Sequence, residues 1–337
     1  MNYYSIVVPV YNRPDEVDEL LESLTRQTAG NFEVIIVEDG SQRKCKDVCE
    51  RYADILALSY YDKPNSGPGQ SRNYGAERAK GNWIVILDSD VVLPETYMEA
   101  VDRGIGDAEA YGGPDAAHPS FTPTQKAISY SMTSFFTTGG IRGGKKKLDK
   151  FYPRSYNMII RADAYKSLGG FRKMRFGEDI EFSYRMVEAG YKTCLLPEAW
   201  VWHKRRTDLR KFWRQVYNSG IARINLEMLH PGTMKLVHML PAVFTVGVAA
   251  LVLCAVAALA CRCPLLAMAA LSPIILYSVL ILVDSARGSK SLKVGMLSVP
   301  AAFTQLMGYG TGFVEAWWKR CVRKEKEFTA YDKNFYK

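Results

Sequence analysis

Trp83-Ile84-Val85-Ile86-Leu87 runs directly into Asp88-Ser89-Asp90. Five apolar residues form a strand, and two acids with one residue between them stand at its end. A buried strand needs no acid there. Two carboxylates at i and i+2, on extended backbone leaving a strand, can converge on one hard cation, because oxygen ligands suit Mg²⁺ or Mn²⁺. In open α/β sheets, ligands collect outside the carboxyl ends of the strands. The plainer alternative is a turn, since Asp and Ser both favour turns. The flanking sequence decides between the two.

Upstream, strands and helices alternate. Ser5-Ile6-Val7-Val8-Pro9-Val10-Tyr11 is a β-rich apolar run of the kind covered on both faces of a parallel sheet. After a turn at Asn12-Arg13-Pro14-Asp15, Val17, Leu20, Leu21 and Leu24 recur at i, i+3, i+4 and i+7, one face of an amphipathic helix. Phe32 to Val37 reads as a second strand, ending at Glu38-Asp39-Gly40-Ser41. A helix over about 44–52, a strand over about 55–61 and a helix through 71–79 follow. This rhythm predicts a mostly parallel, right-handed α/β sheet. Beyond about residue 110 the pattern loosens. Gly139 to Lys147 reads as a mobile loop rich in glycine and lysine, 157–161 as a strand, 178–189 as a helix closed by Gly190, and 191–203 as a further strand region.

Four features then fall on one rim of the predicted sheet: Pro9-Val10-Tyr11-Asn12, Asp39 with its neighbours, Gly67 to Asn73 at a helix start, and the Asp88/Asp90 pair. A carboxylate such as Asp39 can accept bonds from a nucleobase imide or a ribose. Arg72 and a helix N-terminus supply positive potential for a nucleotide. Asp88 and Asp90 would carry the cation for its diphosphate. Farther on, Glu178-Asp179 opens a helix, where negative charge is favoured, and offers a carboxylate base. His203, one of four histidines, begins the basic run Lys204-Arg205-Arg206 and can bind either metal or phosphate.

In this order the motifs Ile6 to Asn12, Val37 to Ser41, Gly69 to Asn73, Leu87 to Asp90 and Gly177 to Asp179 resemble the family 2 glycosyltransferases of the nucleotide-sugar-binding GT-A fold. The resemblance covers roughly residues 3–205. It implies that Asp39 contacts the base, usually uracil, and that Pro9, Tyr11, Asn12 and Arg72 line the nucleotide. It implies that Asp88 meets the ribose or the metal and Asp90 ligates Mn²⁺ or Mg²⁺. Asp179 is then the catalytic base with Glu178 supporting it on the acceptor side, and His203 touches the diphosphate or completes the metal shell. Processive membrane synthases of the family carry Gln-x-x-Arg-Trp. Here Gln215-Val216-Tyr217-Asn218-Ser219 keeps only the Gln, which favours addition of a single sugar.

The chain of 337 residues carries a formal charge of +9, concentrated at 142–150, 204–223 and 319–326. Basic clusters beside apolar segments suit anionic lipid or phosphate better than nucleic acid, and no nucleic-acid partner is expected. Seven cysteines without a disulfide or zinc spacing suggest reduced thiols. The N-terminus shows no signal peptide and enters a strand at once. Residues 236–260 and 264–283 are almost free of charge and long enough to span a bilayer as a hairpin. A weaker segment at 294–317 is either an interfacial helix or a third span; the positive-inside rule favours the former. The organisation expected is a cytosolic GT-A domain over 1–230, a membrane region over 231–318 and a basic tail over 319–337, as a multi-pass protein of the inner membrane.

The expected activity is inverting transfer of one sugar, from a UDP-sugar first, to a hydroxyl of a lipid-linked saccharide in envelope or capsular glycan assembly. A polyprenyl-phosphate sugar synthase is the alternative enzyme, and a non-catalytic membrane-anchored nucleotide-sugar binder the alternative of another class.

Overall fold

The computed structural model describes residues 2–118, 120–138, 151–174, 176–204 and 206–325. The loop expected at Gly139 to Lys147 and most of the basic tail lie outside the described residues. In chain order the elements are β1 (Tyr4–Val10), α1 (Pro14–Thr25), β2 (Phe32–Asp39), α2 (Lys46–Tyr52), β3 (Leu58–Lys63), α3 (Pro68–Ala76), β4 (Trp83–Leu87), β5 (Val91–Val92), α4 (Tyr97–Gly104), β6 (Ala110–Gly112) and β7 (Asp115–Ala116). Then come α5 (Pro123–Thr133), α6 (Phe135–Thr138), β8 (Asn157–Arg161), α7 (Ala162–Ser167), α8 (Glu178–Glu188), β9 (Thr193–Leu195), β10 (Val201–His203), α9 (Leu209–Leu229), α10 (Leu236–Ala260), α11 (Pro264–Ser289) and α12 (Leu292–Trp317).

The chain divides into two compact units, residues 2–118 with 151–204, and residues 120–138 with 206–325. In the first, seven strands form one sheet in the order β3-β2-β1-β4-β8-β6-β9. Strands β1 to β4 pair in parallel, while β8 runs antiparallel to both β4 and β6. Register places Val10 opposite Glu38, Asp39 opposite Lys63, and Val7 opposite Ile86. The carboxyl ends of β1 to β4 therefore share one rim. Period-two alternation sorts the apolar runs between two cores. Ile6, Val8, Val34, Ile36, Val85 and Leu87 pack on one face with Val17, Leu20, Leu21 and Leu24 of α1. Val7, Ile35, Val37, Ile84 and Ile86 pack on the other with Phe171, Phe182 and Met186.

Helix α3 starts three residues earlier than the sequence suggests. Pro68 takes the first helical position after Gly67, whose φ of 93° only glycine adopts readily. One turn after Arg72, Gly75 lies so close to β1 that a Cβ would sit 2.4 Å from Val7 Cγ1. That approach sets the height at which Arg72 reaches the rim. The strand region expected at 191–203 is two strands in two sheets. Pro197 and a turn interrupt it, and β10 joins β5 and β7 in a second, three-stranded sheet. The sequence pattern alone did not indicate that sheet.

In the second unit, α5 and α9 group with the C-terminal helices. Helices α10 and α11 are long and apolar enough to cross a membrane, and only 17% and 11% of their apolar windows are buried. Helix α11 runs to Ser289, past the expected end at 283, and carries Asp284, which accepts a bond of 2.6 Å from Tyr130 of α5. Helix α12 buries a stripe of small residues. A Cβ at Gly312 would meet Tyr217 O at 2.1 Å, and one at Gly310 would meet Pro241 O at 2.3 Å. It is thus a packing helix inside its unit, held at backbone distance from α9 and α10.

Candidate active site

The rim is built from the strand ends upward. Asp88 follows β4, and Ser89 and Asp90 are buried beside it. Strand β5 continues from Asp90 and pairs antiparallel with β10, His203 opposite Val91. This pairing, reinforced by Lys204 N donating to Asp90 O (3.0 Å), brings His203 to the acids from a distant part of the chain. Ligand-type atoms of Asp88, Asp90 and His203 all lie within 4.8 Å of one another. His203 Nε2 is 3.2 Å from Asp90 Oδ1, and its Nδ1 is 3.8 Å from Asp115 Oδ2, too far for a hydrogen bond. The Tyr156 ring stacks on the imidazole with centroids 5.1 Å apart. Burial alone would lower the His203 pKa, but Asp90, and then Asp115 and Asp88, outweigh it and push it up to about 9.

Asp88, Asp90, Glu178 and Asp179 each have an arginine partner. Arg13 Nη1 donates to Asp90 Oδ2 at 2.6 Å. Arg72 is buried and bridges two acids: Nη2 donates to Asp88 Oδ1 at 2.7 Å and Nη1 to Glu178 Oε1 at 3.0 Å. Its guanidinium also lies 5.2 Å from the Phe171 ring centroid. Burial raises the Glu178 pKa well above the usual carboxylate range; Arg72 opposes that shift and Asp179 adds to it. Asp179 Oδ2 is 2.9 Å from Arg154 Nε, and its Oδ1 accepts from Ile180 N at 2.9 Å.

The nucleotide residues expected from sequence take different places. Asn12 has a φ of 55°, and its side chain accepts from Gln42 N (2.8 Å) and Arg43 N (3.0 Å). Its own N–H donates to Ser41 Oγ at 2.7 Å, so the exit of β1 is tied to the exit of β2. Pro9 and Tyr11 are half-buried at the same edge. Asp39 is 1% exposed. Its Oδ1 accepts from Lys63 Nζ and from Ser66 N (2.8 Å), and its Oδ2 from Gly67 N (2.8 Å). In this structure, then, the carboxylate expected to read a base holds the loop that opens α3. Likewise, the Arg72 charge expected for a nucleotide goes first to Asp88 and Glu178.

Sequence reasoning missed Arg13, Lys63, Asp115, Arg154 and Tyr156. Arg13 adjoins a quoted motif, and Lys63 ends β3 in register with Asp39, so both carried a local signal. Arg154, Tyr156 and Asp115 reach the rim only through the fold.

Two carboxylates and an imidazole whose ligand-type atoms lie within 4.8 Å of one another suit a divalent cation such as Mg²⁺ or Mn²⁺. Among the described residues, the buried His203 Nδ1 has no hydrogen-bond partner. Glu178, tied to Asp88 through Arg72, and Asp179, paired with Arg154, are of the right chemistry to take a proton.

Residues 5–169 match the family described as Glycosyl transferase family 2. The chain is 48% identical to an uncharacterized glycosyltransferase of Haemophilus influenzae over 92 residues, 27% of this chain and 31% of that protein. It is 25% identical over 246 residues to the Succinoglycan biosynthesis protein ExoA of Rhizobium meliloti, 70% of this chain and 73% of that one. It spans between 14% and 31% of the length of the first curated relatives it matches. Among solved structures, the mannosyltransferase PcManGT from Pyrobaculum calidifontis, in complex with GDP-Man and Mn²⁺, shares the fold. Its TM-score is 0.60 at 15% identity, over 95% of this chain and 88% of that one. Residues 5–169 thus match a glycosyl transferase family 2 domain, and the mostly parallel α/β sheet has the fold of the GT-A glycosyltransferases.

Proposed function

We propose that this protein transfers a single sugar, with inversion, from a nucleoside diphosphate sugar (UDP-linked first) to a hydroxyl of a lipid-linked saccharide during assembly of a cell-envelope polysaccharide. The observation that carries the reading is the continuous network at the strand ends. Asp90, His203 and Asp88 lie close enough together to hold one cation, and Arg72 ties Asp88 to the helix that presents Glu178 and Asp179. The name of the ExoA relative, over most of both chains, supports a polysaccharide setting.

Asp88, Asp90 and His203 would hold Mg²⁺ or Mn²⁺, which supplies Lewis-acid stabilisation of the leaving diphosphate when bound. Asp179 accepts the proton of the acceptor hydroxyl as that oxygen attacks the anomeric carbon and the bond to the diphosphate oxygen breaks. A single displacement inverts the carbon. Arg72 keeps Glu178 and Asp88 in place and separates their charges. Helices α10 and α11 anchor the protein in the inner membrane with the sheet domain in the cytosol, beside a lipid-linked acceptor. The domain boundaries follow the same reading: a catalytic region ending near residue 230, then a membrane region.

The test is a nucleotide-release screen of the full chain in detergent, across UDP-, GDP- and dTDP-sugars, with and without Mn²⁺. Metal-dependent turnover of one donor, lost in Asp90→Ala, supports the reading. Turnover of no donor, or turnover indifferent to metal and to Asp90, sinks it.

A further inference from the structure

We propose that Arg13 is a resident cation of the acidic pair: it holds Asp90 while the divalent ion is away and passes to the donor diphosphate when the ion arrives. This rests on reading Asp88, Asp90 and His203 as the ion's ligands. Asp90 divides its oxygens, Oδ1 facing His203 Nε2 at 3.2 Å and Oδ2 facing Arg13 Nη1 at 2.6 Å. Arg13 thus neutralises charge that the ion would otherwise take. A carboxylate that gives its lone pairs to a dication is a weaker acceptor for a guanidinium. Arg13 and the ion therefore compete for the same group.

The backbone beneath Arg13 is built to hold still while its tip moves. Asn12, in a left-handed conformation, is fixed by Gln42 N, Arg43 N and Ser41 Oγ. Arg13 O accepts from Val17 N at 3.1 Å, which roots it at the first turn of α1. The side chain itself is 32% exposed. A second carboxylate neighbour, Glu16, lies 4.0 Å away and is a weak alternative, and Asp88 also acts on Arg13 through space. Once the ion occupies Asp90, the strongest new acceptors at the site are phosphate oxygens, which a guanidinium binds as a fork. Arg72 is buried, with its terminal nitrogens on Glu178 and Asp88, whereas Arg13 is partly exposed.

Competition and hand-over give effects of opposite sign, which a merely structural arginine would not. Isothermal titration of the full chain in detergent, with Mn²⁺ alone and then with UDP or GDP in saturating Mn²⁺, reads both. Arg13→Gln should bind Mn²⁺ alone about three- to tenfold more tightly and the nucleoside diphosphate about tenfold more weakly, a partly exposed charge-assisted contact being removed. Arg13→Lys, which keeps the charge and loses the fork, should lie between. If Asp90→Ala abolishes Mn²⁺ binding but Arg13→Gln leaves it unchanged or weaker, Arg13 is not a competitor and the proposal falls while the metal site stands. If Arg13→Gln leaves nucleotide affinity intact, the hand-over is refuted. Mn²⁺ binding that survives Asp90→Ala removes the site and the proposal together.

Discussion

Replacing Arg72 with methionine strips one buried cation from two acids at once. Arg72 lies 3% exposed between Asp88 and Glu178, at 2.7 and 3.0 Å. Breaking a buried ion pair by removing one partner costs about 3–5 kcal/mol, because the other charge is left without compensation. For a domain of about 150–250 residues, each kcal/mol moves Tm by about 2–4 °C, so Arg72→Met should lower the midpoint by roughly 6–20 °C. The loss should depend on pH, with a sign that the structure dictates. Burial holds the folded-state pKa of Glu178 above its unfolded value, and Arg72 works against that rise. A carboxylate raised in the folded state is most favourable to folding below its unfolded pKa, and that contribution is lost as pH climbs through the folded pKa. Without Arg72 the rise is larger, so the variant should lose more stability near pH 8 than near pH 5. Adding Glu178→Gln to Arg72→Met should return part of the loss, because neighbours sharing a network do not act additively. Thermal and urea unfolding of wild type, both single variants and the double variant, at the two pH values, checks this. A deficit below about 1 kcal/mol, or one equal at both pH values, would refute the claim that Arg72 compensates the buried Glu178.

Asp179→Asn should lower transfer by about 10²–10⁴-fold while nucleotide affinity stays within about twofold, since a general base acts on the chemical step; full turnover by this variant removes Asp179 from the mechanism. Arg154→Met should reduce kcat by about tenfold with little change in donor KM, and Arg154→Lys should restore part of it, if the 2.9 Å contact of Arg154 with Asp179 serves to orient that carboxylate. An equal loss in both variants, or a loss confined to KM, argues against that positioning. Gly75→Ala introduces a Cβ 2.4 Å from Val7 Cγ1 and should cost about 1–3 kcal/mol in urea unfolding, by forcing α3 off the sheet. An unchanged unfolding midpoint would show that α3 is not seated as closely as it stands here.

How far the sequence carried depended on how local each signal was. The alternation in β1, β2 and β4 was enough for the sheet, since apolar runs with turn residues at their ends need only neighbours in sequence to be read. Asp88 and Asp90 were legible for the same reason, and so were α10 and α11, where the length of an uncharged run is itself the evidence. The second sheet was not legible. Its strands β5, β7 and β10 span two or three residues each and lack a period of their own. The loop contacts of Asp39 were also out of reach, because they depend on where Lys63, Ser66 and Gly67 settle.

By itself, then, the sequence determined the class of fold, the rim at which the acids gather and the two apolar helices. These follow from periodicity, turn chemistry and composition, properties each segment carries alone. Only the tertiary structure decided which charges meet. His203 reaches Asp90 through β5–β10 pairing, Arg72 reaches Glu178 across 106 positions, and Arg154 reaches Asp179 because the fold brings the turn before β8 to the start of α8. These long-range pairs are set by distance and burial in space, and no spacing along the chain encodes them.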